Sequence, residues 1–293
     1  MMLRAGIIGM TIATALSAAP PSVRQITNDG LLKQRPNWSP DGQHVVFARH
    51  RGSTIFLFVR NIVTGNEERL TMPETPEFDA VFAPDGKSLL FTFDKVSPGQ
   101  GDMEVHRITW MERTPTPMAI SRKGLSHEES PAWSPTGKRF AFSSTYQGNQ
   151  EIYAADIDGE EWMRLTDDVA TDAHPAWSPD GKTIAFATSR WGNFEIALMD
   201  PDGGNLRRFT SSFGLDDYPC WSPDGKLLAW VSNRDGNLEI YVQDTAGSQP
   251  PRNVTENAAI DNFPAWTPDG RLSLISDRGD GFELYVTERP FSP

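Results

Sequence analysis

The sequence predicts an all-β fold, a six-bladed β-propeller of four-stranded blades whose ring is closed by an N-terminal strand that completes the last blade. Three observations predict it: a motif that occurs six times, a spacing between copies that equals the length of one blade, and an N-terminal strand without a blade of its own. The chain has 293 residues, and all-β propellers of roughly 250 residues form a single domain. We therefore expect one propeller over residues 20–293.

The repeated motif is Pro-Ala-Trp-Ser-Pro-Asp-Gly, in which an aromatic residue precedes a turn. Five copies keep the Trp and one has Phe; the aromatic residues are Trp38, Phe82, Trp133, Trp177, Trp221 and Trp266. They lie 44, 51, 44, 44 and 45 residues apart, close to the roughly 40 to 45 residues of a four-stranded blade. The predicted blades are near 36–71, 80–121, 131–166, 175–210, 219–255 and 264–288, the last completed by 23–27.

Each copy has the chemistry of a hairpin between two strands. Ser-Pro-Asp-Gly places Pro second and Gly fourth in a tight turn, and the strand that follows, as at 183–188, is apolar on both faces because blades stack face to face. The last copy ends after its third strand, at 282–286, whereas residues 24–27 match the fourth-strand pattern. We expect these two segments to pair, which removes an exposed sheet edge.

These motifs resemble a known family. The strings at 175–182 and 232–241, with Arg-Leu-Thr at 164–166, are similar to the WD40-like repeats of the TolB-type β-propeller family, over roughly residues 22–289. The resemblance implies the propeller fold and an exported module that binds protein partners. TolB proteins carry a separate domain before the propeller, and this sequence shows no counterpart, so the resemblance is to the propeller only.

The first nineteen residues have the pattern of a signal peptide. Arg4 precedes an apolar run at 5–16, and the small residues Ser17, Ala18 and Ala19 follow. The run is shorter than the ~20 apolar residues that a membrane span needs. We expect a signal peptide over 1–19, cleavage near Ala18 or Ala19, a periplasmic or secreted protein, and no membrane span.

Charge and motif content narrow the function. The formal net charge is −12, which disfavours nucleic acid as a partner. The chain contains no Gly-x-Ser-x-Gly, no His-Glu-x-x-His, no phosphate-binding loop and no dinucleotide fingerprint. Cys220 is the single cysteine, so no internal disulfide forms. These features favour a binding or scaffold module over an enzyme.

One position of the repeat predicts a binding site. The residues three before the repeat proline, or its equivalent, are Lys33, Glu77, Glu128, Asp172, Asp216 and Asp261. They follow the loop that joins one blade to the next, so we expect them to ring one mouth of the central channel, with Glu129 and Asp217 beside them. Carboxylates that converge repel one another, so we expect a divalent cation, a basic partner or raised carboxyl pKa values to relieve the repulsion. The predicted ligand is a protein, peptide or glycan, and no cofactor is firmly implied.

A structural interpretation of these acids stays open. Arg190, Arg234 and Arg278 occupy matching loop positions from which they can pair with the three aspartates, whereas Glu77 and Glu128 have no such arginine. A second repeated acid begins the third strand of five blades: Glu104, Glu151, Glu195, Glu239 and Glu283. We interpret it as a structural blade-to-blade contact, which the first blade, with Ile55, does without.

The alternative function is enzymatic. His127 and His174 lie in loops that enter innermost strands, close to the predicted carboxylates. A lyase related to the propeller family that this sequence resembles uses metal-bound histidines. That resemblance implies, as the alternative, a metal-assisted carbohydrate lyase or hydrolase with its site at the same channel mouth. The sequence leaves the metal unknown.

Overall fold

The structure, a computed structural model, describes residues 20–71, 76–94, 103–112, 118–119 and 126–291. The predicted signal peptide at 1–19 lies outside the described residues. Within them, 24 strands form six antiparallel sheets of four strands each. No helix among them is long and apolar enough to span a membrane. The prediction of a six-bladed, four-stranded propeller is confirmed.

The strands follow the chain blade by blade, and each sheet begins at its innermost strand. Blade 1 has β2 (Lys33–Trp38), β3 (His44–Arg51), β4 (Thr54–Asn61) and β5 (Glu67–Arg69). Blade 2 has β6 (Glu77–Phe82), β7 (Ser88–Asp94), β8 (Met103–Thr109), a 3-10 turn (Trp110–Glu112) and β9 (Met118–Ala119). Blade 3 has β10 (Glu128–Trp133), β11 (Arg139–Ser144), β12 (Glu151–Asp156) and β13 (Met163–Arg164).

The second half repeats this order. Blade 4 has β14 (Asp172–Trp177), β15 (Ile184–Thr188), β16 (Glu195–Met199) and β17 (Arg207–Arg208). Blade 5 has β18 (Asp216–Trp221), β19 (Leu227–Ser232), β20 (Glu239–Asp244) and β21 (Arg252–Asn253). Blade 6 has β22 (Asp261–Trp266), β23 (Leu272–Gly279) and β24 (Gly281–Thr287), and β1 (Val23–Gln25) is its fourth strand.

The N-terminal strand closes the ring as predicted. β1 pairs antiparallel with β24, in a register that places Val23 opposite Thr287 and Gln25 opposite Tyr285. The innermost strands contact one another all the way round, including β2 against β22 at the junction of first and last blades. This pairing leaves blade 6 with a covered edge.

The core lies between the blades, which explains strands that are apolar on both faces. Leu57 of blade 1 packs with Phe91 of blade 2, and Val231 of blade 5 packs with Leu274 of blade 6. The repeated Trp serves the same junctions. For example, the Trp38 indole donates to Ser273 Oγ of blade 6 at 2.8 Å, and Trp221 donates to the Ala176 carbonyl of blade 4 at 3.1 Å.

The Ser-Pro-Asp-Gly turns form as their chemistry predicts. In blade 4 the Gly181 amide donates to the Ser178 carbonyl at 2.9 Å, and the Ser178 hydroxyl donates to Asp180 at 2.7 Å. Gly181 has φ +70°, and a Cβ there would lie 3.2 Å from Pro135 of the neighbouring blade. Glycine is therefore required by both backbone conformation and blade packing.

Candidate functional site

The six predicted binding residues occupy equivalent places in the fold. Lys33, Glu77, Glu128, Asp172, Asp216 and Asp261 are the first residues of the six innermost strands. We call this place the ring position, and the face of the disc on which these strands begin the ring face. All six residues are at most 1% exposed. The ring therefore exists, but its side chains are buried beneath the loops and are not displayed at the channel mouth as expected.

Three members of the ring are neutralised by the arginines that the sequence pointed to. Arg234 donates to both carboxylate oxygens of Asp216 at 2.7 and 2.8 Å, and it also donates to Ser232 Oγ at 2.9 Å. Arg278 binds both oxygens of Asp261 in the same way, and Arg190 binds one oxygen of Asp172. These bidentate or charge-assisted bonds hold the hairpin loop of a blade against its innermost strand.

The two glutamates without a matching arginine are bound by hydroxyl groups. Glu128 accepts from Ser126 at 2.7 Å and from Ser144 at 3.0 Å. Glu77 accepts from the hydroxyl of Thr71. Burial raises the pKa of Glu77 to about 7, against the opposing effects of Thr71 and Arg69. This carboxyl is therefore partly protonated at neutral pH.

Lys33, the cationic member, lies at the junction where the ring closes. Its ammonium pairs with Glu283 of β24 at 2.8 Å, and neither side chain has any exposed surface. It also contacts Asp29 and donates to the Leu31 carbonyl at 3.0 Å. A buried charge pair thus joins blade 1 to blade 6.

The repeated third-strand glutamate makes structural contacts, which in blades 3, 4 and 5 lie within the blade and its outgoing loop, whereas Glu283 of blade 6 binds Lys33 of blade 1. Glu195 accepts from Thr210 at 2.7 Å, from Arg208 at 2.8 Å and from the Ser212 amide at 2.8 Å. Glu151 and Glu239 bind the equivalent threonines Thr166 and Thr255. The expected blade-to-blade contact is therefore wrong for these blades: the carboxylate ties the fourth strand and the start of the next loop to the third strand.

The side chains that line the channel lie two residues beyond the ring position. They are Arg35, Asp79, Ser130, His174, Tyr218 and Phe263, one from each blade, and they border a cavity of about 140 Å³. All six have positive φ, from 47° to 58°, and each lies where the register of the innermost strand shifts. A bulge re-aims the side chain it contains, so the repeat turns one variable residue per blade into the channel.

A polar network crosses this channel. Arg35 pairs with Asp79 and donates to Ser130 at 2.8 Å, to His174 Nε2 at 2.9 Å and to Tyr218 at 3.3 Å. Because Nε2 of His174 accepts, its Nδ1 carries the proton and donates to Asp217 at 2.5 Å. Although burial opposes the charge, Asp79 and Tyr218 raise the pKa of Arg35. One guanidinium thus connects five of the six blades.

Sequence reasoning missed this network, although the position has a signal. The channel residue directly precedes the proline, or its equivalent Ala80, in every copy of the motif, and it has a different side chain in each. Of the predicted secondary residues, His174 and Asp217 meet here. Glu129 accepts instead from the Gln150 side chain, and His127 does not line the cavity.

The described residues at the channel mouth are not arranged as metal ligands. Among the residues that the structure describes, no group of three or more His, Cys, Asp or Glu side chains is arranged to hold a metal ion. His127 is the residue before its innermost strand, whereas His174 is the third residue of its own. The two histidines thus occupy different positions of the repeat.

The loops of the ring face carry exposed apolar side chains. In the described part of the chain, five of seven large apolar residues with substantial exposure lie there: Leu31, Tyr146, Val169, Phe213 and Ile260. Val169 is 99% and Phe213 108% exposed, and they lie in the loops before β14 and β18. The other two, Val63 and Met111, lie on the opposite face. The two faces of the disc therefore differ in character.

Comparisons with known proteins agree with this architecture. The family model for the TolB beta propeller domain matches residues 110–217. TolB from Acinetobacter baumannii is similar, with a TM-score of 0.70 and 24% identity over 83% of this chain and 59% of that one. A putative TolB from Agrobacterium tumefaciens has a TM-score of 0.69 and 22% identity over 94% of this chain and 100% of that one.

An enzyme also has this fold. The oligogalacturonate lyase from Vibrio parahaemolyticus has a TM-score of 0.62 and 14% identity over 94% of this chain and 96% of that one.

This chain spans 59% of the length of the Acinetobacter protein, and identities this low show the fold alone. The resemblance to TolB-type β-propeller repeats is confirmed by the family model over residues 110–217 and by the similar structures, and the fold of the described residues is a six-bladed propeller.

Proposed function

We propose that this protein is an exported, non-enzymatic binding module that engages a protein or peptide through its ring face. The observation that carries the proposal is the unequal distribution of exposed apolar side chains between the two faces. A concentration of exposed apolar residues on one face is a candidate interaction surface. The similar TolB structures support a protein as the partner, and the signal-peptide pattern at 1–19 supports export to the periplasm or beyond.

Side chains at and just before the start of the third strands have a supporting role in this proposal. Asn149 and Glu151 bind the loop of Val169, and Asn193 and Glu195 bind the loop of Phe213, so the binding surface is preorganised and loses little conformational entropy on association. Asp167, whose side chain is 83% exposed, and the net charge of −12 add a negative field around the apolar residues. A partner with an apolar anchor and a basic rim complements this surface.

The enzymatic alternative has narrower support. His174 and Asp217 form a hydrogen-bonded pair in the channel at 2.5 Å, the arrangement that orients a general base. However, the other ring nitrogen accepts from Arg35 at 2.9 Å and is not presented to a substrate. The binding proposal therefore agrees better with the geometry.

A capture experiment with paired variants tests the proposal. The mature protein is immobilised and exposed to solubilised envelope proteins, and the bound polypeptides are identified by mass spectrometry. The double variant Val169→Ser/Phe213→Ser should bind the captured polypeptide at least tenfold more weakly, because truncating central apolar anchors costs roughly 1 to 2 kcal/mol each. Its melting temperature should be unchanged, since both side chains are fully exposed.

Val63→Ser is the matched control, because Val63 is 81% exposed on the opposite face. It should retain wild-type binding. Equal capture by the wild type, the double variant and the control would contradict a binding role for the ring face.

A further inference from the structure

A larger cavity lies on the opposite face, between blades 1 and 2. It has a volume of about 650 Å³ and is bordered by His44, Asn61, Asn66, Glu68, Arg69 and Trp110, among others. Small-molecule sites in proteins typically have volumes of ~300 to 1,000 Å³. The cavity shares no residue with the channel or with the ring face, so it is independent of the function proposed above.

The repeat provides an internal comparison for this cavity. The same junction between blades 4 and 5 has a cavity of about 230 Å³. The strand registers make four of its lining residues, Thr183, Leu198, Arg207 and Thr245, equivalent to His44, Val59, Glu68 and Trp110. The backbone is shared, so the larger volume and the indole of Trp110 distinguish this cavity from that between blades 4 and 5, which Trp221 borders.

The indole of Trp110 is held in a fixed orientation. Its Nε1 donates to the Gly86 carbonyl at 2.9 Å, and its ring packs edge-on with Phe82 at 5.6 Å and with His44 at 5.0 Å. At the other junction the Thr245 hydroxyl donates to the equivalent Gly225 carbonyl at 3.2 Å. The same anchoring contact thus supports a flat apolar platform in one cavity and only a hydroxyl in the other.

Polar groups with defined donors and acceptors surround this platform. Asn61 Oδ1 accepts from the amides of Val63 and Thr64 at 3.0 and 2.9 Å, which fixes its side-chain amide. Its Nδ2 therefore donates to His44 Nε2 at 3.1 Å, so the proton of His44 is on Nδ1. That Nδ1 is buried and has no partner within the described part of the chain. A buried donor without an acceptor is costly.

We propose that this inter-blade cavity binds one sugar residue of a neutral glycan. The C–H face of a pyranose ring packs on the indole of Trp110, as apolar ligand surface packs on aromatic rings. Its hydroxyl groups bond with the exposed side chain of Asn66 at the border of the cavity. The wall contains one acid, Glu68, and one base, Arg69, so it selects neither an anionic nor a cationic ligand.

Saturation-transfer NMR on the full protein tests this site with three probes: the methyl β-glycosides of glucose, galactose and N-acetylglucosamine. The wild type should transfer saturation to the ring protons of at least one probe. Trp110→Ala should weaken binding of that probe roughly tenfold, the scale for loss of an aromatic anchor. Asn66→Ala, an exposed turn residue, should weaken it roughly threefold to tenfold.

Thr245→Ala is the matched control, because it removes the equivalent side chain from the smaller cavity. It should bind the probe as the wild type does. The absence of transfer to all three probes with the wild type would overturn the proposal. So would unchanged binding by Trp110→Ala or, if that variant does not fold, by Asn66→Ala.

Discussion

Blades 4, 5 and 6 and blades 1, 2 and 3 occupy the ring position in different ways. In the first group an aspartate is paired with an arginine 17 or 18 residues later in the same blade. In the second group the residues are Lys33, Glu77 and Glu128, and each has its own set of partners. The backbone position is the same in all six, and only the chemistry that satisfies it differs.

The difference shows that burial comes from the fold and charge compensation from the sequence of each blade. Where the loop supplies an arginine, the aspartate is paired. Where the loop lacks one, hydroxyl groups bind the glutamate, and burial raises the pKa of Glu77 to about 7. Glu77 also accepts a hydrogen bond from the Thr71 hydroxyl. In blade 4 the corresponding threonine, Thr210, donates to the third-strand glutamate Glu195, but blade 1 has Ile55 at that position, so Thr71 is available to Glu77.

The largest effect is expected from breaking the pair that closes the ring. Lys33→Met should lower the free energy of unfolding by about 3 to 5 kcal/mol, because Glu283 is left buried without its ammonium partner. Urea unfolding followed by tryptophan fluorescence measures this change. The double variant Lys33→Met/Glu283→Gln should recover part of the loss. A change below about 1 kcal/mol would mean that the remaining bonds of Glu283 suffice.

A smaller effect is expected at the regular aspartate pairs. Asp216→Asn should cost about 2 to 3 kcal/mol, because Arg234 loses a carboxylate but is still 18% exposed and partly hydrated. Asp261→Asn should cost a similar amount, since Arg278 binds Asp261 as Arg234 binds Asp216, and the new amide oxygen can still accept from Asn257, which lies 2.6 Å away. Thermal and urea unfolding of both variants tests the equivalence, and clearly unequal losses would show that the two blades are not interchangeable.

The smallest effect has the opposite sign and depends on pH. The pKa of Glu77 is raised from 4.5 to about 7 in the folded protein, so the folded state binds more protons between these values and stability falls as pH rises through them. Glu77→Gln removes this penalty. We expect it to stabilise the protein by about 1 to 2 kcal/mol at pH 8, less than the full shift because a neutral amide accepts a weaker bond from Thr71.

The same variant contains its own control. At pH 4.5 Glu77 is protonated in the folded state and half protonated in the unfolded state, so the pH-dependent part of the difference should there be only about 0.4 kcal/mol. Unfolding curves collected from pH 4.5 to 8 would show the difference growing with pH. A constant difference across this range would exclude titration of Glu77 as its cause.

Several features of this protein followed from the sequence because they depend on neighbouring residues. A turn such as 178–181 needs only its own four residues, and a strand apolar on both faces, such as β15, needs only its own side chains. The Asp172–Arg190 pair could also be predicted, because both residues belong to one blade and the pair recurs at a spacing of 18 and 17 residues in the next two copies. Closure by β1 followed from counting strands in each copy.

The candidate site depended on contacts that no local pattern encodes. The ring position is buried in all six blades, and the bulge that follows turns Arg35 and its five equivalents into the channel. Arg35 then meets Tyr218, 183 residues later, only because six blades close on one axis. Sequence alone thus determined the blades, their turns and their closure, which are local or periodic, whereas the tertiary structure decided which side chains face the channel and which are buried, because that depends on how separate blades pack together.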